Sequence, residues 1–183
     1  MQNIIHLLAL LRFDAAGPAS RVAEAVAAYA QWTRDHLGYV IDAEPPQIMV
    51  CLPNPATALE SLHALMHEGE LHGFTVASSL VQAIRSTEHV PKEPHDFTER
   101  TLVTLIELAG SVPPQEVAIS TKLWSLLKLA VPYYAAYFDP IAESLDQPVT
   151  RVRQRLMLRS RNLPPYRGAL RILQPVVNAA PGR

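Results

Sequence analysis

Apolar and polar residues alternate along this chain in blocks whose period switches between that of a strand and that of a helix. The block from Ile4 to Phe13 is almost continuously apolar, which predicts a strand buried on both faces. Between Gly17-Pro18 and Gly38, side chains then recur at helical spacing: Val22, Val26, Tyr29, Thr33 and Leu37. Because both periods occur, the pattern predicts a fold of the α+β class.

A β-hairpin and a second helix are predicted next. The runs Tyr39–Ala43 and Ile48–Leu52 have strand composition and flank a pair of prolines. Asn54, followed by proline, is typical of the start of a helix, because its side chain can accept from the first free N–H groups. This helix is expected to end near Gly69.

The middle of the chain continues the alternation. The apolar run Phe74–Ile84 fits either a strand or a helix. Asp96 begins the sequence Asp-Phe-Thr-Glu, which predicts a capping box and a helix that ends at Gly110. Val117–Ser120 is predicted as a short strand, and Thr121–Leu129 as a helix.

Two segments resemble class III nucleotide cyclases. Residues 36–65, HLGYVIDAEPPQIMVCLPNPATALESLHAL, are similar to the central hairpin and the helix after it. Residues 101–120, TLVTLIELAGSVPPQEVAIS, are similar to a later helix, turn and strand, with Gln115 where the family has glycine. The resemblance implies a ferredoxin-like sandwich in residues 1–138, with a mostly antiparallel sheet, helices on one face, and pairing as a homodimer.

The same resemblance implies that the catalytic groups of the family are missing. Cyclases hold two metal ions with two aspartates, and these fall on Leu10 and Pro46. The asparagine and arginine of the later helix fall on Val103 and Glu107. We therefore expect a non-enzymatic regulatory or scaffold domain without a cofactor, which dimerises and binds a protein partner or a small ligand.

The charges are segregated along the chain. The net charge is −1, but all 17 acidic residues lie between Asp14 and Asp146, while the last 33 residues contain eight arginines and no acid. Such asymmetry fits binding to nucleic acid, binding to an anionic surface, or docking of the basic segment on the acidic body of the same chain.

A basic helical extension is predicted for residues 139–183. Residues 141–156, IAESLDQPVTRVRQRL, are similar to the paired helices of a helix-turn-helix. The alternative function is therefore a DNA-binding transcriptional regulator, although an amphipathic helix that packs on the acidic body or mediates assembly is slightly favoured. The candidate residues for binding DNA or a protein partner are Arg151, Arg153, Arg155, Arg159 and Arg161.

A histidine cluster offers a weaker metal-site hypothesis. His63 and His67 are four residues apart on a predicted helix, and His72 follows closely, a set that could bind zinc. The pair lacks the glutamate of the zincin motif, so a solvated helix end is the favoured interpretation and no metal is expected.

The remaining features concern location. Cys51 is the single cysteine, which excludes an intramolecular disulfide and favours a buried strand position in a cytoplasmic protein. The apolar run at the start of the sequence is too short to span a bilayer, so no membrane span is expected.

Overall fold

A computed structural model describes residues 6–15, 17–83, 93–142 and 148–155. Within these ranges, the strands are β1 (Leu7–Ala15), β2 (Tyr39–Glu44), β3 (Gln47–Leu52), β4 (Phe74–Gln82), β5 (Glu116–Ser120), β6 (Phe138–Ala142) and β7 (Val149–Gln154). The α-helices are α1 (Ala19–Asp35), α2 (Pro55–His72), α3 (Glu99–Gly110), α4 (Thr121–Ala130) and α5 (Pro132–Ala135). The predicted α+β class is confirmed, and the ambiguous run after Gly73 is a strand.

The described strands form one seven-stranded sheet in the order β2-β3-β1-β4-β5-β7-β6. Its neighbouring strands are antiparallel except β4 and β5, which are parallel. The mostly antiparallel sheet predicted from the sequence is therefore confirmed. No helix in the described part of the chain has both the length and the apolar content needed to cross a bilayer.

Helices cover both faces of the sheet, so the prediction of helices on one face is wrong. Leu7 and Leu11 of β1 join the larger core, which contains residues of α1, α2 and α4. Leu8 joins a second core with Leu105 and Leu108 of α3. Because β1 is apolar on both faces, as its continuous apolar run predicted, each face needs a covering layer.

The helix termini differ from the predicted ones for local reasons. The Asn54 side chain accepts from Ala56 N–H at 2.9 Å, as predicted. However, α2 runs past Gly69 to Gly73, whose φ of 77° is the left-handed conformation that ends helices. A Cβ on Gly69 would lie 2.6 Å from the Phe74 carbonyl oxygen, so this glycine permits close packing.

The cap of α3 is Thr98, and the prediction of Asp96 is wrong. The Thr98 hydroxyl accepts from Thr101 N–H at 3.3 Å. Asp96 instead ends a short 3-10 turn, where its carboxylate accepts from Glu93 N–H. Thr98 lies two residues beyond Asp96, and both residue types cap helices, so composition alone did not separate them.

The predicted helical extension is wrong wherever the structure describes it. β6 and β7 are strands of the main sheet, so a domain boundary after residue 138 would cut through β6. In β7, Thr150, Val152 and Gln154 point inward while Arg151 and Arg153 point outward. This two-residue alternation is the strand period, and it outweighs the similarity to a helix-turn-helix.

Candidate functional site

An open cleft of about 340 Å³ lies on the α3 face of the sheet, between α3 and the hairpin of β2 and β3. Its apolar lining includes Leu10, Met49 and Ile106. Its polar lining residues are Arg12, Asp42 and Gln47. The cleft therefore combines an apolar surface with one cation and a few hydrogen-bonding groups.

The strand register explains why these residues meet. Leu10 pairs with Met49 and Arg12 pairs with Gln47, and alternate residues of β1 share a face. The hairpin turn is held against β1 by the hydrogen bond from Phe13 N–H to the Pro46 carbonyl oxygen, at 2.8 Å. Of the β1 residues that line the cleft, Arg12 is therefore nearer to this turn than Leu10.

Arg12 has one side-chain hydrogen bond to the described residues. Its Nη2 donates to the Val112 carbonyl oxygen at 3.1 Å, just beyond the C-terminus of α3, where a cation is favoured. Within the described ranges, Arg12 has no carboxylate within ion-pair distance. The rest of the guanidinium can therefore bind another group.

The positions that were aligned with catalytic groups do not converge in one chain. Leu10 lines the cleft, but Val103 and Glu107 lie on the outward side of α3, exposed to solvent. α3 turns Leu105 inward and presents Ile106 to the cleft. In a single chain, Glu107 therefore does not face this cleft.

Comparison with known proteins identifies the fold. No family model and no curated protein matches the chain. A monomeric crystal structure of the guanylyl cyclase domain of the RhoGC fusion protein from the aquatic fungus Blastocladiella emersonii matches with a TM-score of 0.50 at 10% identity, covering 83% of this chain and 96% of that one. The chain has the nucleotide cyclase fold.

Other cyclase structures match at lower scores. A dimeric crystal structure of the same fungal domain has a TM-score of 0.47 at 10% identity, covering 83% of this chain and 97% of that one. Monomeric adenylate cyclases from Trypanosoma brucei have a TM-score of 0.47 at 12% identity, covering 81% and 89%.

The cyclase fold corrects the expectation that the chain is not an enzyme. The solved structure that matches with a TM-score of 0.50 is a guanylyl cyclase domain, and the fold therefore gives no ground for excluding an enzyme. The expected loss of catalytic groups came from positions assigned by sequence alone, and Val103 and Glu107 do not line the cleft. At 10% identity, the comparison shows the fold and assigns no activity to this chain.

The described cleft does not fit a metal pair. Divalent ions such as Mg²⁺ are bound by several oxygen ligands that converge on the ion. Asp42 is the one carboxylate among the cleft-lining residues described. The guanidinium of Arg12 lies in the same cleft and would repel a cation.

The three candidate histidines do not converge either. His63 is 3% exposed, and its ring lies 4.7 Å from the ring of Tyr137. Burial, with His67 nearby, lowers the pKa of His63 to about 4. His67 is exposed, and His72 pairs with Glu68 at 3.1 Å. Over the described ranges, no three metal-ligating side chains come together.

The described candidate arginines are bound by acidic groups of the same chain. Glu116 is 3% exposed, and it accepts from Arg153 at 2.8 Å and lies 3.5 Å from Arg151. Arg155 donates to Asp139 at 2.9 Å. These three arginines pair with carboxylates of the same chain, and a DNA-reading helix is not supported. Arg159 and Arg161 lie outside the described residues.

Sequence reasoning missed Arg12 as a functional candidate. The signal was present, because Leu8, Leu10 and Arg12 are alternate residues of one predicted strand. A basic side chain that ends an apolar face marks the point where that face meets solvent or a ligand. Attention to the two-residue period within the apolar block would have found it.

Proposed function

We propose that this chain is a regulatory domain that pairs with a second copy of itself through the α3 face of its cyclase fold. The observation that carries the proposal is an exposed apolar surface on α3 directly beside the cleft. Val103 and Ile106 are 46% and 57% exposed. Exposed apolar residues that adjoin an apolar groove are typical of an interaction surface.

The groove beside α3 is itself incompletely covered. Leu10, Met49, Tyr39 and Ile41 pack against the smaller core but remain half-buried. Burying such surface contributes about 25 cal/mol per Å², so a second copy that covers it gains stability from the hydrophobic effect. A cytoplasmic location fits the buried free thiol of Cys51.

The test is the association of purified protein measured by sedimentation equilibrium. We expect a dimer whose Kd rises at least about tenfold in Val103→Asp, because the carboxylate would be desolvated in the interface. Leu129→Asp is the matched control, since Leu129 is 82% exposed on α4, against the other face of the sheet. A wild-type protein that stays monomeric at high micromolar concentration would refute the pairing.

A second candidate function is catalysis on a nucleotide, which the fold shared with a guanylyl cyclase domain favours. In this case Arg12 would contact a phosphate group, and the apolar part of the cleft would hold the base. The test is incubation with ATP or GTP and manganese, followed by measurement of cyclic nucleotide. Product that is lost in Arg12→Gln would support this function, and product no higher than in an enzyme-free blank would exclude it.

A further inference from the structure

Two opposite charges on the α3 side of the molecule have no ion-pair partner among the described residues. Arg12 lies in the cleft and makes a single bond to the Val112 carbonyl oxygen. Glu107 is exposed on the outward side of α3, one turn after Val103. Neither residue lies within 4.0 Å of an opposite charge in the structure as described.

The geometry keeps these two charges apart within one chain. Ile106 is the α3 side chain that lines the cleft, and Glu107 follows it by about 100° around the helix axis, away from the sheet. Glu107 therefore projects from the molecule, while Arg12 lies in the depression beside the same helix. An acidic side chain on α3 and an exposed basic one in the cleft, which also contains the carboxylate of Asp42, can pair between two copies.

Two-fold symmetry allows both contacts to form together. In an isologous pair, if residue i of one copy contacts residue j of the other, then j also contacts i. If the outward side of α3 entered the cleft of a second copy, Val103 would meet the apolar lining and Glu107 would approach Arg12. Each pair then contains this contact twice.

We propose that Glu107 of each copy binds Arg12 of the other, so that the second copy completes the cleft. This proposal rests on the proposed pairing and names the contact that fixes its register. Carboxylate and guanidinium can form a bidentate pair, and the surrounding apolar residues exclude water that would weaken it. The ion pair therefore fixes the relative orientation of the two copies, which the apolar surface alone would not fix.

The test is a charge swap measured by sedimentation equilibrium. Glu107→Arg places two cations together and is expected to raise the dimer Kd about ten- to a hundredfold, with a similar effect from Arg12→Glu. The double variant restores the opposite charges and is expected to return to within about threefold of the wild-type Kd. Glu24→Arg makes the same charge change on the exposed side of α1 and should leave the Kd unchanged.

The outcomes separate this proposal from the pairing itself. A monomeric wild type removes the pairing and this contact with it. A dimeric wild type that Glu107→Arg does not weaken, or that the double variant does not restore, overturns the contact and leaves the pairing in place. Because Glu107 is exposed, its substitution should not impair folding, and a thermal melt of each variant verifies this.

Discussion

The side chain of Gln115 connects the loop before β5 to neighbouring elements by hydrogen bonds. Its substitution tests how much these bonds stabilise the region beside the cleft. Gln115 has a φ of 63°, the left-handed region that favours glycine, at the position that the sequence resemblance matches to a glycine. Its side-chain oxygen accepts from Val76 N–H at 2.9 Å, and its amide donates to the Met66 carbonyl oxygen at 3.1 Å. The loop before β5, which also supplies the Val112 oxygen to Arg12, is thereby tied to β4 and α2.

The expected loss of stability follows from these contacts. Gln115→Ala removes both hydrogen bonds, each contributing about 1 kcal/mol, and leaves the partly buried Val76 N–H without its side-chain acceptor. The free energy of unfolding should fall by about 2–3 kcal/mol. Gln115→Gly loses the same bonds but relieves about 1 kcal/mol of left-handed strain, so its loss should be about 1–2 kcal/mol.

The measurement is urea unfolding followed by far-UV circular dichroism, together with thermal melts. For a domain of this size, a loss of 2–3 kcal/mol lowers the Tm by about 4–12 °C. The informative quantity is the order of stability, which should be wild type, then the glycine variant, then the alanine variant. An alanine variant as stable as the wild type would show that the two side-chain bonds contribute nothing, and would refute the reasoning.

Three further predictions concern stability. Thr98→Ala removes the α3 cap and should cost about 1 kcal/mol in urea unfolding; a change below about 0.3 kcal/mol would contradict the cap assignment. Protonating buried His63 is unfavourable because its folded pKa is depressed, so stability should be complete above pH 6.5 and fall by about 3 kcal/mol towards pH 4; His63→Phe should flatten this dependence relative to the wild type. Glu116→Ala leaves Arg151 and Arg153 without their shared acceptor and should lower the free energy of unfolding by about 1–3 kcal/mol. An unchanged thermal melt would show that these two ion pairs do not stabilise the fold.

The first half of the fold could be predicted because its signals are local. The hairpin runs around two prolines and the cap at Asn54 each depend on residues close in sequence, and the structure has strands and a helix there. The continuous apolar run of β1 indicated burial on both faces of the sheet. Burial on both faces requires a second helical layer, which α3 supplies.

The end of the described chain could not be predicted in the same way, because its structure depends on distant partners. Arg151 and Arg153 are strand residues that face Glu116, which lies more than thirty positions earlier. A helix-turn-helix pattern and a strand with alternating arginines share the same few apolar residues. Only the pairing of β7 with β5 decides between them, and that pairing is a long-range contact.

The coverage of the sheet connects the fold to the proposed function. α3 packs over β1 and β4, burying Leu105 and Leu108 fully or nearly so, while Leu10 and Met49 towards the hairpin remain half-buried. A half-covered apolar surface of this kind is typical of an interaction site. A second copy offers an exposed apolar side of α3 with an acidic residue, and the cleft offers an apolar lining with a basic one. α3 covers only part of this face of the sheet within its own chain. Its exposed apolar side is therefore suited to cover the remaining part in another copy.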